Sequence, residues 1–167
     1  MRKISHISIL IILIILISCN GIENSNDLNT NRTTEDIYQM LDAYHRDIRK
    51  EGLTAEFKYL DKSSDFFWVP PGYNTALSYD SIKNILEINS KAFRSVEFQW
   101  DTLQIFPLTN EIANYSGIVN GLMIDTSGIK STVSIIESGT IIKREDGWKL
   151  LSGQSRLLAT DSERKSH

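Results

Sequence analysis

Two β-rich runs, residues 132–144 and 148–157, flank the tight turn Glu145-Asp146-Gly147 near the end of the chain. Asp-Gly between two such runs marks a β-hairpin, because both residues tolerate the positive φ that the turn requires. Apolar and small polar residues share the face that holds Trp148. A face of that kind suits a sheet curled around a partly polar cavity, and the rest of the chain has to supply what such a sheet wraps.

The preceding stretch supplies two more long strands. Val96, Phe98 and Trp100 alternate with Glu97, Gln99 and Asp101, but the apolar positions then move to Leu103 and Ile105. A strand with one buried face changes parity only through a bulge or a break. The pattern therefore predicts a β-bulge at Asp101-Thr102, which would bend the strand. Residues 112–125 form the next strand, where Gly117 and Gly121 suggest bends or close backbone approach, and Thr126-Ser127-Gly128 is the turn after it.

Upstream the period changes from two to about 3.6. Thr33 reads as an N-cap, Ile37, Met40, Leu41, Tyr44 and Ile48 fall on one helical face, and Gly52 ends the helix. His45 reads as a surface residue beside that stripe. Residues 54–60 read as a short second helix with Leu53, Phe57 and Leu60 facing in. Residues 66–69 form a short strand closed by Pro70-Pro71-Gly72, which puts it at a sheet edge or end. Ser78 caps a third helix running to about Phe93, with Ile82, Ile85 and Leu86 on its buried stripe and Asn89 interrupting it. Helices first and a meander last give an α+β domain, a curved antiparallel sheet wrapped on three helices.

The first 18 residues read as a lipoprotein signal peptide. A basic Met1-Arg2-Lys3 precedes an apolar run too short for a bilayer span, which needs roughly 20 residues. The run closes on Leu16-Ile17-Ser18-Cys19, which resembles the lipobox of bacterial lipoproteins. In that family the cysteine carries the lipid, so Cys19 is the expected lipidation site. The expected location is the cell envelope, anchored to a membrane, the outer one by preference. Residues 19–32 read as the lipidated cysteine and an Asn-rich tether with a reach of roughly 20 Å. The folded domain is expected over 33–160, with a polar tail at 161–167.

Composition removes several classes of function. The net charge is −3, and loss of Arg2 and Lys3 with the leader makes it −3 minus 2, or −5. That balance is poor for a phosphate backbone, so no nucleic-acid partner is expected. Cys19 is the only cysteine, and His45 is the only histidine away from the leader and the last residue. No zinc site of His and Cys can be assembled from that supply, and no metal or cofactor is expected.

In element order, in the segment Asp65-Phe66-Phe67-Trp68-Val69-Pro70-Pro71-Gly72 and in Arg144-Glu145-Asp146-Gly147-Trp148-Lys149-Leu150-Leu151, the chain resembles the SnoaL-like branch of the nuclear transport factor two-like superfamily. The resemblance spans about residues 34–158. It implies a cone with a pocket at its wide end. It also implies either ketosteroid isomerase-like or cyclase-like chemistry or a role in binding. The residues that supply acid–base chemistry in relatives are replaced: Ser152 and Gln154 stand where histidines are common, and Val69 stands at the ketosteroid isomerase-like base.

These readings place a ligand pocket between the third helix and the concave sheet, bordered by Trp68, Asn89, Trp100, Tyr115, Glu137 and Gln154. Alternation puts Trp148, Leu150, Ser152, Gln154 and Arg156 on one face, with Arg156 able to oppose Glu137. Glu137 shares parity with Val133, Ile135 and Ile141, so an inward face would bury its carboxyl and raise its pKa. The expectation is non-catalytic binding of a small apolar or amphipathic molecule, or of a protein partner, with no catalytic residue assigned. The alternative is an isomerase, dehydratase or cyclase whose acid–base set includes Glu137. A homodimer is expected through the outer sheet face, carrying Leu151, Leu157 and one set of the paired isoleucines.

Overall fold

The computed structural model describes residues 29–158. The expected signal peptide, Cys19, most of the expected tether and the expected 161–167 tail lie outside the described residues. The elements are α1 (Thr30–Glu51), a 3-10 helix (Leu53–Lys58), β1 (Phe67–Val69), α2 (Tyr79–Ser90), β2 (Phe93–Pro107), β3 (Ile112–Asp125), β4 (Lys130–Arg144) and β5 (Gly147–Leu157). This is the expected order. Among the described residues no helix is long and apolar enough to cross a membrane.

The five strands form one curved sheet in the order β1-β5-β4-β3-β2. Four are antiparallel neighbours, but β1 runs parallel to β5. The sheet is therefore mixed rather than purely antiparallel. β1 reaches the sheet from the helical half, not through a hairpin, so no tight turn reverses its direction. The hairpin closes as its sequence requires, with Arg144 opposite Gly147 and Gly147 at φ 113°.

The bulge at Asp101 is present: Trp100 faces Val119 and Thr102 faces Ile118, leaving Asp101 as the extra residue. A second bulge was not foreseen. Ile141 pairs with Leu150 and Thr140 with Ser152, so Leu151 is extra and the parity of β5 flips there. Everything after Leu151 therefore faces opposite to the expected side.

α1 starts at Thr30, earlier than the expected Thr33 cap, because the Asn29 side chain accepts the Arg32 N–H at 3.1 Å. A short Asx side chain satisfies one of the free amides of the first turn, which is worth about 1 kcal/mol. Residues 30–32, expected as part of the tether, are helical. Gly52 ends the helix at φ 88° with its N–H on the Ile48 carbonyl. Ser78 caps α2 as expected, accepting from Ser81 N, but the helix ends at Ser90 and Phe93 already belongs to β2.

α1 lies in the concavity of the sheet. Ile37, Leu41 and Ile48 meet Tyr115, Ile141 and Leu150 in a core that excludes water, and Trp148 is 7% exposed. Each buried aliphatic side chain contributes roughly 1.5–3 kcal/mol. α1 runs antiparallel to β2, with Asn29 near Asn110 at the narrow end and Arg49 near Glu97 towards the wide one. The wide end is not filled by the helix, and the site occupies that space.

Candidate functional site

A cavity of about 540 Å³ opens at the wide end, between α2, the 3-10 helix and the concave sheet. That volume suits a small organic molecule. Its mouth is rimmed by exposed apolar groups, among them Tyr73, Ile88 and Leu157, and by Asn89. Its floor carries two carboxyls, Glu56 and Glu137.

Glu137 reaches the floor because β4 alternates. Val133, Ile135 and Glu137 all line the cavity, as their shared parity requires. The Tyr115 hydroxyl, from the facing strand β3, donates to Glu137 Oε1 at 2.6 Å. Burial pushes the Glu137 carboxyl up to about 7, although the bond from Tyr115 pulls it back. The same burial raises the Tyr115 phenol well above its ordinary value, so it remains a donor.

Glu56 comes from the 3-10 helix. Residues three apart eclipse in that geometry, so Leu53 and Glu56 share a face, and both line the cavity. Burial drives the Glu56 carboxyl up to about 8; the Tyr44 hydroxyl beside it lowers the value, and the Glu137 charge raises it. Tyr44 itself is buried and titrates well above its ordinary value. Two tyrosines and two glutamic acids thus form one interacting group, with no cation on it among the described residues.

The structure brings together three of the six expected pocket residues. Trp68, Asn89 and Glu137 line the cavity. Trp68 lies across β5 at Gly153, where an added Cβ would sit 2.6 Å from the ring, and its Nε1 donates to Ser155 Oγ at 3.1 Å. Only glycine allows that approach. Tyr115 sits beneath the wall and contributes through its hydroxyl. Trp100 does not line the cavity: it lies behind His45, with ring centroids 4.9 Å apart. Gln154 is exposed on the outer face opposite Ser138, because the Leu151 bulge reverses it. Arg156 is turned outward for the same reason, and Ser155 stands opposite Glu137 instead.

Three site residues were missed or misread. Glu56 was hidden by an α-helical reading of its segment, in which Phe57 and not Glu56 falls beside Leu53. Tyr44 was read as core alone. His45 was read as a surface residue, yet it is 6% exposed and lines the cavity. It follows Leu41 by four and precedes Ile48 by three, which places it on the buried face of α1. Burial, with Arg49 nearby, pushes its imidazole down to about 4, so it is neutral at physiological pH. Among the described residues no group of three or more His, Cys, Asp or Glu could hold a metal ion.

Similar structures carry the same cone. A nuclear transport factor 2 (NTF2-like) superfamily protein from Salmonella enterica superposes with a TM-score of 0.67 at 16% identity, over 79% of this chain and 95% of that one. The fold is NTF2-like. A protein from Novosphingobium aromaticivorans, provisionally assigned as a scytalone dehydratase, gives 0.65 at 17% identity over 77% and 86%. A provisionally assigned dehydratase of the NTF2-like family from Streptomyces avermitilis gives 0.65 at 14% over 78% and 99%. At these identities the likeness establishes the fold alone. No family model and no curated protein matches the sequence.

Proposed function

We propose that the domain catalyses proton transfer on a small, largely apolar molecule, as an isomerase, dehydratase or cyclase does. One observation carries this reading: the Tyr115–Glu137 pair and the Tyr44–Glu56 pair meet at the floor of a deep apolar cavity. The polar groups at the floor are acids and phenols, while the amide of Asn89 stays at the mouth. General acid–base catalysis is most efficient with a pKa near the working pH. With values of about 7 and about 8, one carboxyl can take a proton while the other gives one. Val69, which stands where ketosteroid isomerase-like relatives hold their base, pairs with outward-facing Gln154. The chemistry of this NTF2-like domain would therefore start from different positions of the cone. Two similar structures are provisionally assigned as dehydratases, which agrees with the reading.

The test is solvent-deuterium incorporation into small apolar ketones and β-hydroxy ketones shown to bind the cavity. Wild type should exchange at least about 100-fold faster than Glu137→Gln, the usual contribution of one acid–base group. Equal rates for wild type and Glu137→Gln on every bound compound would refute the proposal.

We also propose that a lipid on Cys19 holds the domain at the envelope membrane. Leu16-Ile17-Ser18-Cys19 after an apolar run supports it. Asn29 lies at the narrow end, its N–H on Asn110 Oδ1 at 3.1 Å, so the mouth would open away from the anchor. Cys19→Ala should abolish incorporation of labelled fatty acid; a wild-type protein that takes up none contradicts the anchor. A second copy on the outer sheet face is proposed with it. Ile136 and Phe67 are exposed there, whereas Leu157 turned to the cavity mouth. A monomeric mass at micromolar concentration would exclude the dimer.

A further inference from the structure

The cavity holds two acids and no base that is charged at neutral pH. Among the described residues that line it there is no lysine or arginine. His45, the one basic side chain on the wall, is stacked on Trp100 and held neutral. Three cations on elements that line the cavity are engaged elsewhere. Arg49 faces Glu97 at 3.9 Å, Lys58 bridges Asp47 and Glu51, and Arg144 is bound to Asp61 at 2.6 Å. Arg156, which sequence alternation aimed at Glu137, is turned outward by the Leu151 bulge. A buried carboxylate without a cation is costly, and a ligand is the remaining source of positive charge.

The walls favour the same kind of ligand. Tyr44, Phe66, Trp68 and Phe98 line the space around the carboxyls. Aromatic faces attract ammonium groups, more strongly when water is excluded, and they also bury an apolar body. An anionic ligand would bring negative charge to a floor that has no cation to pair it among the described residues.

We infer that the cavity selects molecules with an apolar body and a protonated amine directed at the Glu137–Glu56 floor, and rejects carboxylic acids of the same shape. This rests on reading the cavity as the substrate site, and it names the substrate class. The groups facing the two carboxyls are Tyr44 and His45 from α1, Tyr115 from β3 and Ser155 from β5. None carries a charge near neutral pH. An arriving ammonium ionises Glu137 fully and leaves Glu56 largely protonated. Binding near pH 7 therefore releases a fraction of a proton, and affinity rises between about pH 6 and 8 as the carboxyls ionise.

The experiment is calorimetry of the full chain with phenethylamine, 2-phenylethanol and phenylacetate at pH 7, in two buffers of different ionisation enthalpy. The amine should bind at least tenfold more tightly than the alcohol, and phenylacetate should show no uptake. Proton release should accompany the amine and not the alcohol. In Glu137→Gln the amine advantage should fall below threefold while the alcohol still binds, which shows that the cavity persists. Equal affinity for amine and alcohol, uptake of phenylacetate, no amine uptake at millimolar concentration, or an undiminished advantage in the Glu56→Gln/Glu137→Gln double variant overturns the inference. Deuterium exchange into neutral ketones without an amine preference would sink this inference alone. An amine preference without any Glu137-dependent exchange would sink the catalytic reading alone.

Discussion

Asp61 and Glu137 are both carboxyls removed from bulk water, and they are displaced in opposite directions. For Asp61, burial pushes the pKa up, but the bonds from Arg144 and Ser63 outweigh it and hold the acid below its ordinary value. Arg144 Nε lies 2.6 Å from Oδ2 and the Ser63 N–H lies 2.8 Å from Oδ1. For Glu137, burial also pushes up, and the only bond that pulls back comes from a neutral phenol. Burial acts upward on both, and the partners differ in kind: a cation for Asp61, a phenol for Glu137. An acid given a fixed cation serves the fold, whereas one given only a hydroxyl and an open cavity keeps its proton available near pH 7.

The sharpest way to break that contrast is to remove what each acid touches. Arg144→Met strands a buried Asp61 and should cost about 2–3 kcal/mol by urea denaturation at pH 7. That is below the ~3–5 kcal/mol of a fully buried pair, because the Arg144 side chain is 38% exposed. Glu137→Gln removes an acid that burial already disfavours, so stability should hold or rise. A stable Arg144→Met beside an unstable Glu137→Gln would reverse the contrast.

The two acids also predict opposite pH slopes. Glu137 and Glu56 have folded pKa values raised from 4.5 to about 7 and about 8. The folded state therefore binds more protons than the unfolded chain between those values, and stability falls as pH rises through the window. Wild-type stability should fall steadily between pH 5 and 8, and the fall should be absent from Glu56→Gln/Glu137→Gln. Asp61, held below 3.8, stabilises above that value and loses its contribution as pH drops beneath it. A wild-type stability that climbs from pH 5 to 8 would contradict the raised pair.

Smaller changes test whether the cavity wall is built as described. Gly153→Ala would place a Cβ 2.6 Å from both the Trp68 ring and the Ser138 carbonyl oxygen. Overpacking of this kind costs about 1–3 kcal/mol, and the Trp68 fluorescence should shift as the ring leaves the wall. Ser155→Ala only removes the acceptor of Trp68 Nε1. It should cost about 1 kcal/mol, with the melting temperature as readout.

The cone was legible wherever a residue pattern had one geometric solution. The move of the apolar set from Trp100 to Leu103 admits only a bulge or a break, and the strand takes the bulge. Parity grouped Glu137 with Val133 and Ile135, but Ile136 and Ile142 left the inward face of β4 open, and the structure turns the Glu137 set to the cavity. The second bulge left no trace of that kind. Leu150 and Leu151 are both apolar, so either suits the core, and the flip that sends Gln154 and Arg156 outward is silent in the sequence. Glu56 was lost to a choice between helix types, since a six-residue segment is too short for its period to decide between 3 and 3.6. His45 shows the reverse error: its position on the helix was readable, but its chemistry suggested the surface.

The most direct test of the account is a carbon-13 titration of the glutamate side-chain carboxyls, with Glu56→Gln and Glu137→Gln used for assignment. The account predicts two carboxyls that titrate about neutrality, near 7 for Glu137 and near 8 for Glu56, each signal vanishing in its own variant. Titration of every glutamate between about pH 4 and 5, the ordinary range, would mean that the floor is solvated. The cavity would then lose both its proton-transfer pair and its claim on a cationic ligand.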